Sequence, residues 1–182
     1  MTAHRRRADG SFTWEGVEVL AYKPDPETGH PGTFRDLTRQ VLFDGNHLAS
    51  QVRFFDVGPG GHTTLERHGH AHAVIVLRGR GRCLVGEEVL DLLPHDLIEV
   101  GPWQWHQFRA ASDEPLGFVC IVDQDRDRPQ LPTDGDLEQL DRNPAVASFL
   151  AGTGRRAGPD DPDGPDDRVA AADREHPEHP AL

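Results

Sequence analysis

The chain has 182 residues, with 19 Lys and Arg against 31 Asp and Glu and a net charge of −12. That balance excludes the clustered positive field that a nucleic-acid backbone or an anionic membrane surface requires, and leaves small molecules as the expected partners. The length predicts one domain whose core needs no disulfides, while 19 glycines and 15 prolines predict many turns and a segment that does not fold.

Residues 1–10 read as a mobile N-terminus. Arg5-Arg6-Arg7 is not followed by the apolar stretch of a secretory signal, and no apolar run is long enough to cross a bilayer, so the expected compartment is the cytoplasm. From 11 to 152 the chain reads as the folded domain. Short runs bounded by Gly, Pro and Asp predict strands over 14–22, 34–43, 51–57, 74–77, 82–85, 97–100, 106–110 and 116–123. Alternation is clearest in Gln51-Val52-Arg53-Phe54-Phe55-Asp56-Val57. Such spacing predicts an all-β antiparallel sandwich or barrel. Helices are predicted only afterwards, one capped by Thr133 or Asp134 and running to Leu140. The other is capped by Asn143, with Pro144 at its first position, and ends at Gly152. Residues 153–182, rich in Pro, Asp and Arg, read as a disordered acidic tail in which His176 and His179 are solvated.

Eleven histidines in the chain would place about 0.7 in any eleven-residue window, yet His62, His68, His70 and His72 fall between 62 and 72, a density associated with metal binding. Glu66 and His68 are two apart, which on extended backbone sends both side chains to one face. A turn at Gly69 can return His72 beside them, and His106, opening a later strand, is the fourth candidate donor. One carboxylate and three imidazoles without thiolate suit a six-coordinate divalent ion, Mn with Fe as the alternative, rather than structural Zn. The ordinary alternative is a solvated His-rich turn and a core His106.

The run from Gly60 through Glu66, His68 and His72 to Gly79 resembles the first cupin motif in its spacing throughout, with two identities exchanged: Glu66 stands where the family has its first His, and His72 where it has Glu. The run from Pro94 to Phe108 resembles the second motif, with Asp96 where Gly is common and His106 at the ligand position. His70 falls on a non-ligand position and is the reserve donor if Glu66 points away. The resemblance implies a double-stranded β-helix, a jelly-roll-like barrel, with the metal inside and a homodimeric assembly. Segments outside these motifs, including Trp14 to Lys23, Phe34 to Phe43, Gly81 to Gly86 and Glu114 to Cys120, resemble the single-domain cupins that act on 1-methylthio-xylulose 5-phosphate. What this closer resemblance implies is Mn-dependent transfer of a methylthio group from the sugar phosphate to glutathione, leaving 1-deoxy-xylulose 5-phosphate, in sulfur salvage.

For that chemistry the candidate nucleophiles are Cys83 and Cys120 or an external thiol, with Cys83 favoured by an inward-facing strand position; the ordinary reading of each cysteine is a buried, inert thiol. Arg53, Arg67 and Arg109 are candidates for the substrate phosphate, against the ordinary reading of surface ion pairs. His62 and His95 are candidate proton donors. Alternative readings are a cupin dioxygenase or isomerase on another small molecule, for which Trp103 and Trp105 would line an apolar pocket, and a metal-dependent small-molecule sensor. No helix-turn-helix accompanies the strands to make a sensor of DNA.

Overall fold

The computed structural model describes residues 5–21, 34–45 and 48–151. The expected acidic tail, its two histidines, Gly152, Tyr22 and residues 1–4 lie outside them. Among the described residues nine strands form one curled antiparallel sheet: β1 (Leu20–Ala21), β2 (Arg35–Phe43), β3 (Ser50–His62), β4 (His72–Arg78), β5 (Gly81–Val85), β6 (Glu88–Leu92), β7 (Leu97–Val100), β8 (His106–Ala110) and β9 (Leu116–Asp123). The path runs β6-β5-β8-β3-β9-β4-β7, with β2 on the other side of β3 and β1 outside β2. This curled antiparallel sheet is the architecture of a double-stranded β-helix.

Because side chains alternate along each strand, the register decides what shares a face. Arg53 of β3, Cys120 of β9 and Val74 of β4 are successive partners across three strands. Their face also carries Val57, Val76, Phe108, Leu116 and Phe118, which form the inner core with Cys83. Phe118 stacks on Phe108 at 4.6 Å and on Phe55 at 5.4 Å, closing the space beneath the polar end of the barrel. The outer face of β5 and β8 holds a second cluster, Leu84 and Trp105 packed against Leu140, Val146, Phe149 and Leu150 of the two helices.

Those helices start for the local reasons visible in the sequence. Thr133 caps α1 (Asp134–Leu140) in a capping box with Asp136, and Asn143 caps α2 (Pro144–Leu150), accepting from the Ala145 N–H with Pro144 in the first turn. Among the described residues no helix is long and apolar enough to cross a membrane.

Besides β3, which runs on past 57 to His62, two segments differ from the sequence expectation. The strand expected over 14–22 is reduced to Leu20–Ala21, because the chain turns at Glu15-Gly16, with Gly16 at φ +69° and the Val17 N–H bonded to the Trp14 carbonyl. Trp14 instead bridges Ala8 and sets its ring edge-on against Phe54 at 5.1 Å, while Asp9 accepts from the Ser11 and Thr13 N–H groups. The second difference is β6, which was not expected. It is an acidic edge strand with little apolar alternation, joined to β5 by the two-residue Gly86-Glu87 turn in which Gly86 has φ +63°.

Candidate metal centre

The segment from Glu66 to the start of β4 is irregular, and it is held by backbone bonds on both sides. Glu66 and His106 exchange two, the Trp103 N–H donates to the His68 carbonyl at 2.7 Å, and Arg67 and Gln130 exchange two more. These bonds deliver His68 to the inner face, opposite His72 at the head of β4 and His106 at the head of β8. The ligand atoms of the three imidazoles lie within 4.8 Å of one another, and all three residues are buried. Glu66 Oε1 lies 3.8 Å from His106 Nε2.

Each ring is oriented through Nδ1. His68 Nδ1 bonds the His70 carbonyl and His106 Nδ1 the Gln104 carbonyl, both at 2.9 Å, while His72 Nδ1 lies 3.4 Å from Cys120 Sγ. A neutral imidazole that donates through Nδ1 keeps its Nε2 lone pair for a metal. His72 Nε2 and His106 Nε2 are buried and have no hydrogen-bond partner among the described residues. Burying such atoms unpaired costs about 1–3 kcal/mol each, and a cation among the three rings would satisfy them. The residues present therefore fit a divalent ion.

Electrostatics agree with neutral, ligating imidazoles. Burial, together with the neighbouring rings His106 and His70, lowers His68 to about 3; burial lowers His106 to about 4. His72 is pushed down further, by burial first and by His106 and His68 after it.

The sequence matches the family model for the cupin domain over residues 53–122, the span that contains every residue of this centre. It is 52% identical over 147 residues to the 1-methylthio-D-xylulose 5-phosphate methylsulfurylase of Rhodospirillum rubrum, covering 81% of this chain and 92% of that protein. The chain belongs to the cupins. Among solved structures this cupin is similar to a cupin-2 domain from Rhodospirillum rubrum, 51% identical with a TM-score of 0.73, which covers 82% of this chain and 97% of that one. A cupin 2 conserved barrel domain protein from Rhodopseudomonas palustris is 45% identical with a TM-score of 0.75, covering 80% and 98%.

The cupin's other candidate residues divide between its two faces. Cys120 faces the centre: its sulfur contacts His72 and lies 3.9 Å from an Arg53 guanidinium nitrogen. Burial raises the Cys120 thiol and Arg53 counters it. Cys83, expected to be the better placed, is inward but sits in the apolar core opposite Phe108 and Leu90, where burial, with the Asp96 carboxylate second, lifts its thiol to about 12. Cys120 belongs to the same core cluster, so what separates the two thiols is the contact of Cys120 with His72.

Arg67 and Arg109, expected at a substrate phosphate, turn outward. The Arg67 guanidinium lies 4.4 Å above Trp105 and 3.6 Å from Asp136, and that of Arg109 lies 4.3 Å above Phe149 of α2. Each follows from alternation, since the neighbours of Arg67 and Arg109 in the chain are the inward Glu66, His68 and Phe108. His62 also lies on the outer side, near Gln107, and His95 is an exposed turn residue at φ +80°. Trp105 packs with the helices and Trp103 is exposed, so neither lines the interior. His70 pairs with Asp127, which carries no signal in the sequence because it lies in the charged run 123–128, and such a run reads as a solvated loop.

Proposed function

We propose that this cupin is a metal-dependent enzyme that moves the methylthio group of 1-methylthio-xylulose 5-phosphate to a thiol acceptor, releasing 1-deoxy-xylulose 5-phosphate. The observation that carries the reading is the contact of Cys120 Sγ with His72, which places one thiol against a three-imidazole centre inside the barrel. The 52% identity to a methylsulfurylase supports the substrate.

His68, His72 and His106, with Glu66 as the anionic donor, would hold the ion, Mn by the oxygen and imidazole donor set with Fe as the alternative. When bound, a divalent ion supplies Lewis-acid polarisation of the substrate ketone. The Cys120 thiolate attacks the sulfur on C1: a sulfur–sulfur bond forms, the C1–S bond breaks, and its electron pair passes to C1 and the adjoining carbonyl. A proton then completes the C1 methyl group. The acceptor thiol, glutathione by the sequence resemblance, displaces the methylthio sulfur from Cys120, leaving as a mixed methyl disulfide and restoring the cysteine. Thiol is oxidised and C1 is reduced, so the electrons balance. Arg53 holds negative charge beside Cys120. It is also the one of the three candidate arginines left for the substrate's anionic end. The cupin resemblance implies a homodimer, and a cytoplasmic location is part of the proposal.

Anaerobic incubation of the Mn-loaded protein with the thio-sugar phosphate and glutathione tests the reading. Turnover to 1-deoxy-xylulose 5-phosphate without oxygen is expected. Inertness toward this substrate, with oxygen consumption on another, would replace it with an oxygenase.

A further inference from the structure

The carboxylate of Asp127 accepts three hydrogen bonds from the ligand-bearing turn: from the Gly69 N–H at 2.6 Å, from the His70 N–H at 3.2 Å and from His70 Nδ1 at 2.7 Å. Asp127 lies beyond β9, outside both histidine-bearing stretches and outside the span matched to the cupin domain. His70, which donates its backbone N–H to Asp127, also offers its backbone carbonyl, on the next peptide, to His68 Nδ1, and its ring lies on the His68 ring at 3.5 Å with the planes 1° apart. Three residues further on, Gln130 exchanges two backbone bonds with Arg67. The segment from 127 to 130 thus lies along 67–70 and fastens it at both ends.

We infer that Asp127 is a positioning residue for the metal centre: it fixes the His70 backbone and ring, and through both of these fixes the orientation of His68. The arrangement extends the familiar carboxylate–imidazole–metal chain by one residue, since the carboxylate orients the residue that orients the ligand. Without Asp127 the turn loses three bonds at once. His68 then loses a fixed acceptor for Nδ1–H and a fixed stacking partner, and its Nε2 no longer has one direction. The charge state of Asp127 suits this role. Burial works to raise its carboxyl, but bonds from Gly69 and His70 outweigh it and hold the group at about 2, so it stays an acceptor.

The inference rests on the metal reading above, and Mn(II) binding to the full-length protein, followed by electron paramagnetic resonance of free Mn(II), tests the two separately. Asp127→Ala is expected to raise the Mn(II) dissociation constant about 10- to 100-fold, the range for outer partners of metal ligands, while the melting temperature of the metal-free protein stays within a few degrees. Asp127→Asn, which keeps an acceptor oxygen for the backbone donors, is expected to recover part of that affinity. Asp127→Ala with wild-type affinity would overturn the inference and leave the metal reading intact. So would a loss that Asp127→Asn does not mend and that the fall in metal-free melting temperature accounts for. A wild-type protein that holds no divalent ion would overturn both.

Discussion

Cys120 Sγ lies 3.4 Å from His72 Nδ1, so a thiol contacts the far side of an imidazole whose other nitrogen is aimed among His68 and His106. The register that brings them together is Val74 opposite Cys120, two residue pairs further along β4 than His72 opposite Val100. Cys120→Ser is accordingly expected to reduce methylthio transfer by at least about 10³-fold while stoichiometric metal is retained, as loss of a nucleophile does. Cys83→Ser should leave turnover within about threefold, since a conservative change in the apolar core touches no reacting atom. Peptide mass spectrometry of the wild type, quenched without acceptor thiol, should find the methyl disulfide on Cys120. A Cys120→Ser enzyme that turns over normally with glutathione would move the attack to the acceptor itself.

His106→Ala should remove the ion and spare the barrel. The residue is 3% exposed, with Nε2 aimed at the centre and Nδ1 on the Gln104 carbonyl. Metal content by elemental analysis is expected to fall from near one per chain to near zero, with the far-ultraviolet circular dichroism of the metal-free form unchanged. Full occupancy in this variant would show that His106 is not needed as a ligand.

The three arginines should separate in steady-state kinetics. Arg53→Lys is expected to lower kcat/KM by 10-fold or more, about 1.4 kcal/mol, because a point charge on a flexible stem does not replace a guanidinium at the Cys120 sulfur. Arg67→Ala and Arg109→Ala should leave KM for the sugar phosphate within about twofold, as both guanidinium groups lie on the outer face. A large rise in KM in either outer variant would put the phosphate elsewhere.

Acid should destabilise the metal-free protein before its carboxylates titrate. His68 and His106 are held at about 3 and about 4 against an ordinary value of 6.5, and His72 is held lower. Unfolding therefore takes up protons at any pH between those values, so stability is complete above 6.5 and is lost as pH falls below it. Each imidazole contributes a slope of up to about 1.4 kcal/mol per pH unit in that window. Urea midpoints of the chelator-treated protein should fall between pH 7.5 and pH 5. A flat profile over that window would contradict neutral, buried rings.

Phe149→Ala should destabilise the protein without changing its metal affinity. Phe149 is fully buried between the sheet's outer face and α2, beneath the guanidinium groups of Arg82 and Arg109. Truncation of a buried aromatic of this kind costs about 3–5 kcal/mol, readable as a lower denaturation midpoint.

Part of this centre is legible in the sequence. The spacing of His68 and His72 around Gly69 is local, whereas His106 lies more than thirty residues on and meets them through its backbone bonds with Glu66, a pairing that the sequence carries only through the resemblance to the second cupin motif. Cys120 is different: its preference over Cys83 depends on which rung of β9 meets β4, and both cysteines occupy inward positions that alternation cannot rank. The outward course of Arg67 and Arg109 is present in that same alternation, one residue from an inward neighbour in each case, and proximity in sequence hides it. Asp127 has no signal, since its partners come from a turn more than fifty residues earlier. The β6 strand has a weak one, the Gly86-Glu87 turn between two short runs.

The place of β3 in the sheet also bears on how the chain reaches this structure. β3 is paired along most of its length on one side by β2, its immediate predecessor, and on the other by β9, the last strand among the described residues. The hairpin with β2 can close early, but the other edge, carrying Phe55, Val57 and the buried Arg53, stays open until every later strand exists. Pairings of such sequence separation place folding in the slow regime, about milliseconds to seconds, and they expose an apolar strand edge meanwhile. The residues that assemble last are then those on which the proposed catalysis depends, Arg53 meeting Cys120, so a kinetically trapped molecule is expected to retain much of its sheet and lack that site.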